Sequence, residues 1–273
     1  MAAVFRIGDR VKLKSGSPPM TIIEVPQDGL KAILTAWFDG PNEMRSSFPP
    51  EALAAEDARV LSGGSHDLKQ FFRADMWRGG GSETKSGRGS TLQSTSKVRP
   101  ALEALFRRLK IKTLLDAPCG DFNWMQRVDL TGIRYCGLDI IDEIIADNVA
   151  KYSRDDREFH VADLTKDPLP AADLMLCRDC TFHLPIENVW QILENFAASG
   201  TRYLLLTTHT DGSNQDMPVP GSFRSRDFLA APFNFVRPEP DGWIADHPAT
   251  PPLRVLGLWT AEQVREALTK AGR

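Results

Sequence analysis

The chain has 273 residues, of which 42% are hydrophobic and 25% charged, and its formal net charge is −3. That balance suits a chain with a sizeable apolar core and offers no bulk attraction to nucleic acid or an anionic membrane. No apolar run approaches the ~20 residues that span a bilayer, and the first residues lack the charged-then-apolar pattern of a secretory signal, so no membrane contact is expected and a cytoplasmic location is.

The first sixty residues read as a separate small unit. Val11–Lys14, Met20–Val25 and Lys31–Phe38 are short alternating runs, separated by turns at Ser15–Pro19, Gln27–Gly29 and Asp39–Asn42. Closely spaced strands with Gly, Pro and Asn turns predict a small antiparallel barrel. The segments FRIGDRVKLKSGSPPMTI and AWFDGPNEMRSSFPPEAL resemble the small YodC-like family of uncharacterised bacterial proteins, which supplies no function. Seven basic and eight acidic residues up to position 60 leave no basic face in the totals. Trp37 and Phe38 are read as filling a very small core rather than forming a contact patch.

Residues 61–98 are read as linker and flap. Ser62-Gly63-Gly64-Ser65 is linker-like. Leu68, Phe71, Phe72 and Met76 have helical spacing. The glycine- and serine-rich piece GGGSETKSGRGSTLQSTSK then reads as a mobile flap that orders over a ligand. Lys69–Lys112 holds eleven basic residues against three acidic ones, either a solvated surface or a binding site for a carboxylate or phosphate. A helix follows, with Pro100 at its first position and Leu102, Leu105, Phe106 and Leu109 on one face.

From there strands alternate with helices, which predicts a doubly wound, mainly parallel sheet. The first strand, Thr113–Leu115, ends in Asp116 and the turn Ala117-Pro118-Cys119-Gly120. Gly120 allows close approach of a ligand, and Asp121 is placed to cap a helix. Ile133–Asp139 is the second strand, and the interval from Asp116 to Asp139 fits a strand-helix-strand unit whose carboxylate meets ribose hydroxyls. A helix with Ile144, Ile145 and Val149 inward comes next. Glu158–Val161 closing at Asp163, Asp173–Cys177, a helix from Pro185 to Gly200, and Tyr203–Thr208 complete the alternation.

The stretches LLDAPCGDFNWM, YCGLDI, VADLTKDPLP and ADLMLCRDCTFHLP resemble the class I S-adenosylmethionine-dependent methyltransferases, in particular a bacterial subgroup with DAPCGDFNW. The resemblance covers residue 65 to the end and implies a Rossmann-like sheet and S-adenosyl-L-methionine as cofactor. It assigns Asp116, Ala117 and Gly120 to the methionine part, Asp139 to the ribose with Ile140 against the adenine, and Asp163 to the adenine amino group with Leu164 beside it. Cys177, Arg178 and Asp179 would face the methyl sulfonium. In the first motif Ala117 and Asp121 stand where this family more often has glycines. Methyl transfer to oxygen or nitrogen can need a base, and Asp179 and His183 follow the fourth strand where an acceptor would lie. His209 ends the fifth strand at the same edge.

The implied function is methyl transfer to an oxygen or nitrogen of a small polar molecule. The alternatives are a protein or nucleic-acid acceptor presented by the N-terminal barrel, and a non-catalytic binding protein. An NAD-dependent oxidoreductase would need a fuller glycine fingerprint than Gly120 alone. The CRDC sequence is not the Asp/Asn-Pro-Pro-aromatic motif of nucleic-acid amino-methyltransferases. No carboxylate cluster suggests a catalytic metal. Cys177 and Cys180 form a CxxC without a second pair, so all four cysteines are read as reduced thiols. Thr210–Pro251 is irregular but rich in aromatics, which predicts a segment that folds over the sheet edge and helps build the acceptor pocket. Leu253–Trp259 reads as a last strand, and Thr260–Gln263 as the capping box of a final helix. The early end of the chain predicts a shortened last hairpin. The domains expected are a barrel at 1–60, linker and flap at 61–98, and a methyltransferase-like domain at 99–273.

Overall fold

The central strand sequences of the second half of the chain, TLLD and LMLC, are apolar on both faces, which demands that both be covered. The computed structural model describes residues 5, 10–25, 32–39, 42–55, 68–72, 83–217, 220–247 and 253–273. The linker at 62–65, Met76 and Trp77, and the start of the glycine-rich piece fall outside these residues, as do the turn at 27–29 and part of the next. The chain divides into two units, Met1–Asp67 and Leu68–Arg273.

The first unit is one antiparallel, barrel-like sheet of β1 (Arg10–Leu13), β2 (Met20–Glu24), β3 (Ile33–Asp39), β4 (Asn42–Phe48) and β5 (Leu53–Ala55), in the order β4-β3-β2-β1-β5. Among the described residues β4 and β5 are its edges. Alternation turns Val11, Met20, Ile22 and Ile33 to a common core with Phe5 and Leu53, and Trp37 packs against it.

The second unit begins at Leu68, and the described part of the expected helix, residues 68–72, holds a 3-10 turn at Leu68–Gln70. Helix α1 spans Val98–Leu109, starting before Pro100, which sits inside its first turn where a missing N–H costs no bond. Then come β6 (Thr113–Asp116), β7 (Arg134–Asp139), α2 (Asp142–Tyr152), β8 (Arg157–Val161), β9 (Leu174–Cys177), α3 (Ile186–Ala198), β10 (Tyr203–His209), β11 (Trp243–His247), β12 (Arg254–Thr260) and α4 (Ala261–Lys270). The strand order is β11-β12-β10-β9-β6-β7-β8, with β12 alone running antiparallel to its neighbours. The fold is therefore doubly wound, mainly parallel and Rossmann-like, as expected.

Successive residues of each strand feed opposite layers. Leu114, Leu174, Leu176 and Leu205 join Leu102, Leu105 and Phe106 of α1 and Ile145 of α2. Leu115, Met175, Cys177 and Leu206 join Val189, Leu193 and Phe196 of α3 and Val264 and Leu268 of α4. Helix α2 turns Asn148 inward and leaves Val149 46% exposed, the reverse of the periodicity reading at that turn. The last hairpin is not shortened: β12 pairs with β10 over seven residues, and β11 was not anticipated. The capping box forms, since Thr260 Oγ1 accepts from Gln263 N–H and Gln263 Oε1 accepts from Thr260 N–H.

Candidate functional site

Parallel strands place their last residues along one edge of the sheet, and here acids end β6 and β7 and another, Asp163, follows β8. Asp116 ends β6 and is almost wholly buried. The Tyr135 hydroxyl, from the neighbouring β7, donates to its Oδ2 at 2.7 Å. Burial pushes its pKa up to about 7, against the pull of Tyr135 and of the Arg178 charge.

No helix starts after the β6 turn. Gly120 (φ 55°) and Phe122 (φ 58°) are both left-handed, which forbids a continuous right-handed helix, and only a 3-10 turn at Met125–Arg127 follows. Asp121 does not cap a helix. Its carboxylate accepts from Thr84 Oγ1 (2.9 Å), Lys85 N–H (2.6 Å) and Ser86 Oγ (3.1 Å), while its own N–H donates to Ser86 Oγ (2.9 Å). The described part of the expected flap is thereby docked on this turn. Gly120 also serves the flap: a Cβ there would lie 2.3 Å from Ser86 Oγ.

Asp139, at the end of β7, accepts from Gly120 N–H at Oδ2 and from Ile141 N–H at Oδ1, each at 3.0 Å. Burial raises it to about 6 although these bonds lower it. Asp163 follows β8; its Oδ1 accepts from the Thr165 N–H (3.0 Å) and hydroxyl (2.6 Å). Asp116, Gly120, Asp139 and Asp163 line one open cavity with about 970 Å³ of empty space, its mouth included, and Ile140 and Leu164 stand in the same wall. Leu68, Phe72, Trp124, Ile144 and Ile192 make much of the rest apolar. Ala117 and Cys177 are wholly buried in the core behind that wall.

Beyond β9 the cavity meets Arg178, Asp179 and His183. Arg178 and Asp179 belong to a ring of four charges that sequence reading missed. Arg178 contacts Asp179 (3.2 Å) and Asp246 (2.8 Å), and Arg254 contacts Asp179 (3.3 Å) and Asp246 (3.4 Å). Asp246 lies on β11 and Arg254 on β12, so only the hairpin's pairing brings them in; no local spacing could signal it. Arg178 also donates to the Gly89 carbonyl (2.9 Å), tying the flap to the ring. Gly89 has no room for a side chain, because a Cβ would lie 2.5 Å from Asp179 Oδ2.

His183 is partly covered, but its ring is crowded by Phe182 and Phe223, and this desolvation pushes its pKa down to about 4. Nδ1 lies 3.0 Å from the Ser222 carbonyl oxygen and must donate to it, so Nε2 bears the lone pair of the neutral ring. His209, buried at the end of β10, accepts the Arg226 N–H at Nδ1 (3.2 Å) and does not line the cavity.

None of the described residues between Thr210 and His247 lines the cavity, contrary to the expectation that this segment builds the acceptor pocket. It packs one layer out. Phe228, Phe233 and Phe235 enter the core with Trp259, and the buried Arg226 donates to the carbonyls of Leu184 and Gln215 (both 2.7 Å). The segment thus braces the loop that carries His183. The basic run of Lys69–Lys112 is partly used within the chain: Lys69 pairs with Asp142, Lys85 with Asp147 and Arg108 with Asp241.

Residues 6–53 match a family described as "Uncharacterized small protein (DUF2158)". No curated protein matches the chain. Among solved structures, human N-acetylserotonin methyltransferase in complex with SAM is similar, with 15% identity and a TM-score of 0.44, over 60% of this chain and 51% of that one. The 1,6-didemethyltoxoflavin-N1-methyltransferase of Burkholderia thailandensis, with 1,6-didemethyltoxoflavin and S-adenosylhomocysteine bound, shows 15% identity and a TM-score of 0.48, over 63% and 80%. The mitomycin 7-O-methyltransferase MmcR shows 16% and 0.45, over 62% and 54%. This chain thus spans about half the length of the first and last of these.

Proposed function

We propose that the unit Leu68–Arg273 binds S-adenosyl-L-methionine and transfers its methyl group to an oxygen or nitrogen of a small polar molecule. The observation that carries this reading is the convergence of Asp116, Gly120, Asp139 and Asp163 on one open cavity at the carboxyl edge of a parallel sheet.

The residues present fit the cofactor. Each Asp139 oxygen accepts one backbone N–H and keeps further acceptor capacity, which suits a pair of ribose hydroxyls. Ile140 and Leu164 offer apolar contact to a purine, and Asp163 can accept from its amino group. When bound, the cofactor supplies a methyl group on a sulfonium, open to in-line displacement by a lone pair.

A cationic ligand would be repelled by an isolated guanidinium. Arg178 is held between Asp179 and Asp246, which cancels its charge, and Asp116, with a pKa of about 7, adds partial negative charge on the same wall at neutral pH. His183, neutral at physiological pH, adds no positive charge. Its ring, held against Phe182 and Phe223, shapes the wall where an acceptor would lie and so helps to orient it. Asp179 is matched by two guanidinium groups, so we assign it an electrostatic role beside the acceptor. This unit would then catalyse chiefly by positioning.

Isothermal titration of the full chain with S-adenosylmethionine and S-adenosylhomocysteine tests the proposal. One equivalent of either should bind, and NAD should not. A folded protein that binds neither would remove the reading.

A further inference from the structure

We propose a second site, outside the cavity: a Zn²⁺-binding site made by Cys136, Glu158 and His160. Cys136 on β7 is the register partner of Glu158 on β8, and His160 lies two residues further along β8. The side-chain period of a strand puts all three on one face of the sheet. One ligand atom from each, the Cys136 thiol sulfur among them, lies within 4.8 Å of the others, and His160 Nε2 is 3.3 Å from Glu158 Oε2.

Thiolate, imidazole and carboxylate together suit Zn²⁺ or its spectroscopic substitute Co²⁺ better than the hard ions Mg²⁺ and Ca²⁺, which prefer all-oxygen shells. The site is open to solvent: Glu158 and His160 are more than half exposed, and β8 is the edge strand, so a water can take the fourth position. Without metal the Cys136 thiol is protonated, as ordinary thiols are at neutral pH. Binding exchanges that proton for the metal: the S–H bond breaks, an S–Zn bond forms, and the proton leaves to solvent. No electron transfer is involved. The structural consequence is a clip across β7 and β8, where β8 otherwise buries only Phe159.

The test uses the full chain with Zn²⁺ and Co²⁺ alone. The metal-free protein should bind one equivalent of Zn²⁺ and release a proton as it does so. Co²⁺ should give the intense visible bands of a tetrahedral site together with thiolate-to-metal charge transfer. Cys136→Ser should abolish the charge-transfer band, and His160→Gln should weaken binding by about tenfold or more. Both variants should keep the metal-free unfolding midpoint within a few degrees of wild type. Zn²⁺ should raise that midpoint in the wild type and not in the variants. The proposal is overturned by absence of saturable binding, by an octahedral cobalt spectrum, or by a charge-transfer band that survives Cys136→Ser. A band lost instead in Cys180→Ser would place the thiolate elsewhere and overturn it equally.

Discussion

The Tyr135 hydroxyl oxygen lies 2.7 Å from Oδ2 of Asp116, so a buried phenol on one strand holds the acid that ends its neighbour. Asp116 stands in the wall of the candidate cofactor cavity with Tyr135 buried in the core behind it, and the protonation of Asp116 sets the charge there.

Asp116 should make the folded state sensitive to pH. Its folded pKa of about 7 lies well above the ordinary carboxylate value of 3.8. An acid raised on folding contributes stability that is present below the unfolded value and is lost as pH rises through the folded one. Between pH 5 and 8 the wild type should therefore lose on the order of 2 kcal/mol relative to Asp116→Asn, whose amide oxygen can still accept from Tyr135. Urea unfolding of both proteins at the two pH values measures this. A constant difference between them would remove Asp116 as the titrating group.

On the proposed function, Asp139→Ala should weaken S-adenosylmethionine binding by about tenfold to a hundredfold, through loss of charge-assisted hydrogen bonds to the ribose. Because the Gly120 and Ile141 N–H groups also lose their acceptor, Asp139→Asn is the companion variant. Titration calorimetry checks both, with thermal unfolding as the control for folding. Wild-type affinity in the alanine variant would separate Asp139 from the ligand.

Asp246→Asn should destabilise the second unit by about 3 kcal/mol, since it leaves the buried Arg178 and the half-buried Arg254 short of a countercharge. Replacing Arg178 by Met and Asp246 by Leu together should cost less than the single change, because no charge is then stranded. Denaturant unfolding of the three proteins decides it. Equal costs would mean that the ring is exchanged freely with water.

Gly120→Ala should release the flap. The new Cβ meets Ser86 Oγ at 2.3 Å, and the left-handed φ of 55° adds strain of about 1 kcal/mol. Limited trypsin digestion should cut faster at Lys85 and Arg88. Adding Ser86→Gly should restore part of the protection; if cleavage is unchanged in either variant, the flap is held by other contacts.

Strands and helices were legible wherever a segment had to satisfy both its own periodicity and a buried layer. The runs ending in Asp116, Asp139, Cys177 and His209 were found within a residue or two for that reason. Misreadings arose where a polar side chain served a distant partner. Asp121 has the composition of a helix cap, yet it holds Thr84, Lys85 and Ser86. Gly120 lines the cavity, and Ser86 packs where a Cβ on it would stand, a contact that no local pattern signals. Asp246 and Arg254 sit in stretches with no motif, and a register between two strands makes them part of the site.

From sequence alone, then, came the alternation of strands and helices, the acids at the strand ends, and the capping box of the last helix, because these follow from local periodicity and short-range hydrogen bonds. Tertiary structure decided which acids share a cavity, which are neutralised by arginines from the last hairpin, and which lost their expected role to the flap. Those outcomes depend on pairings between residues far apart in the chain, and on the cost of burying a charge, neither of which a local pattern encodes.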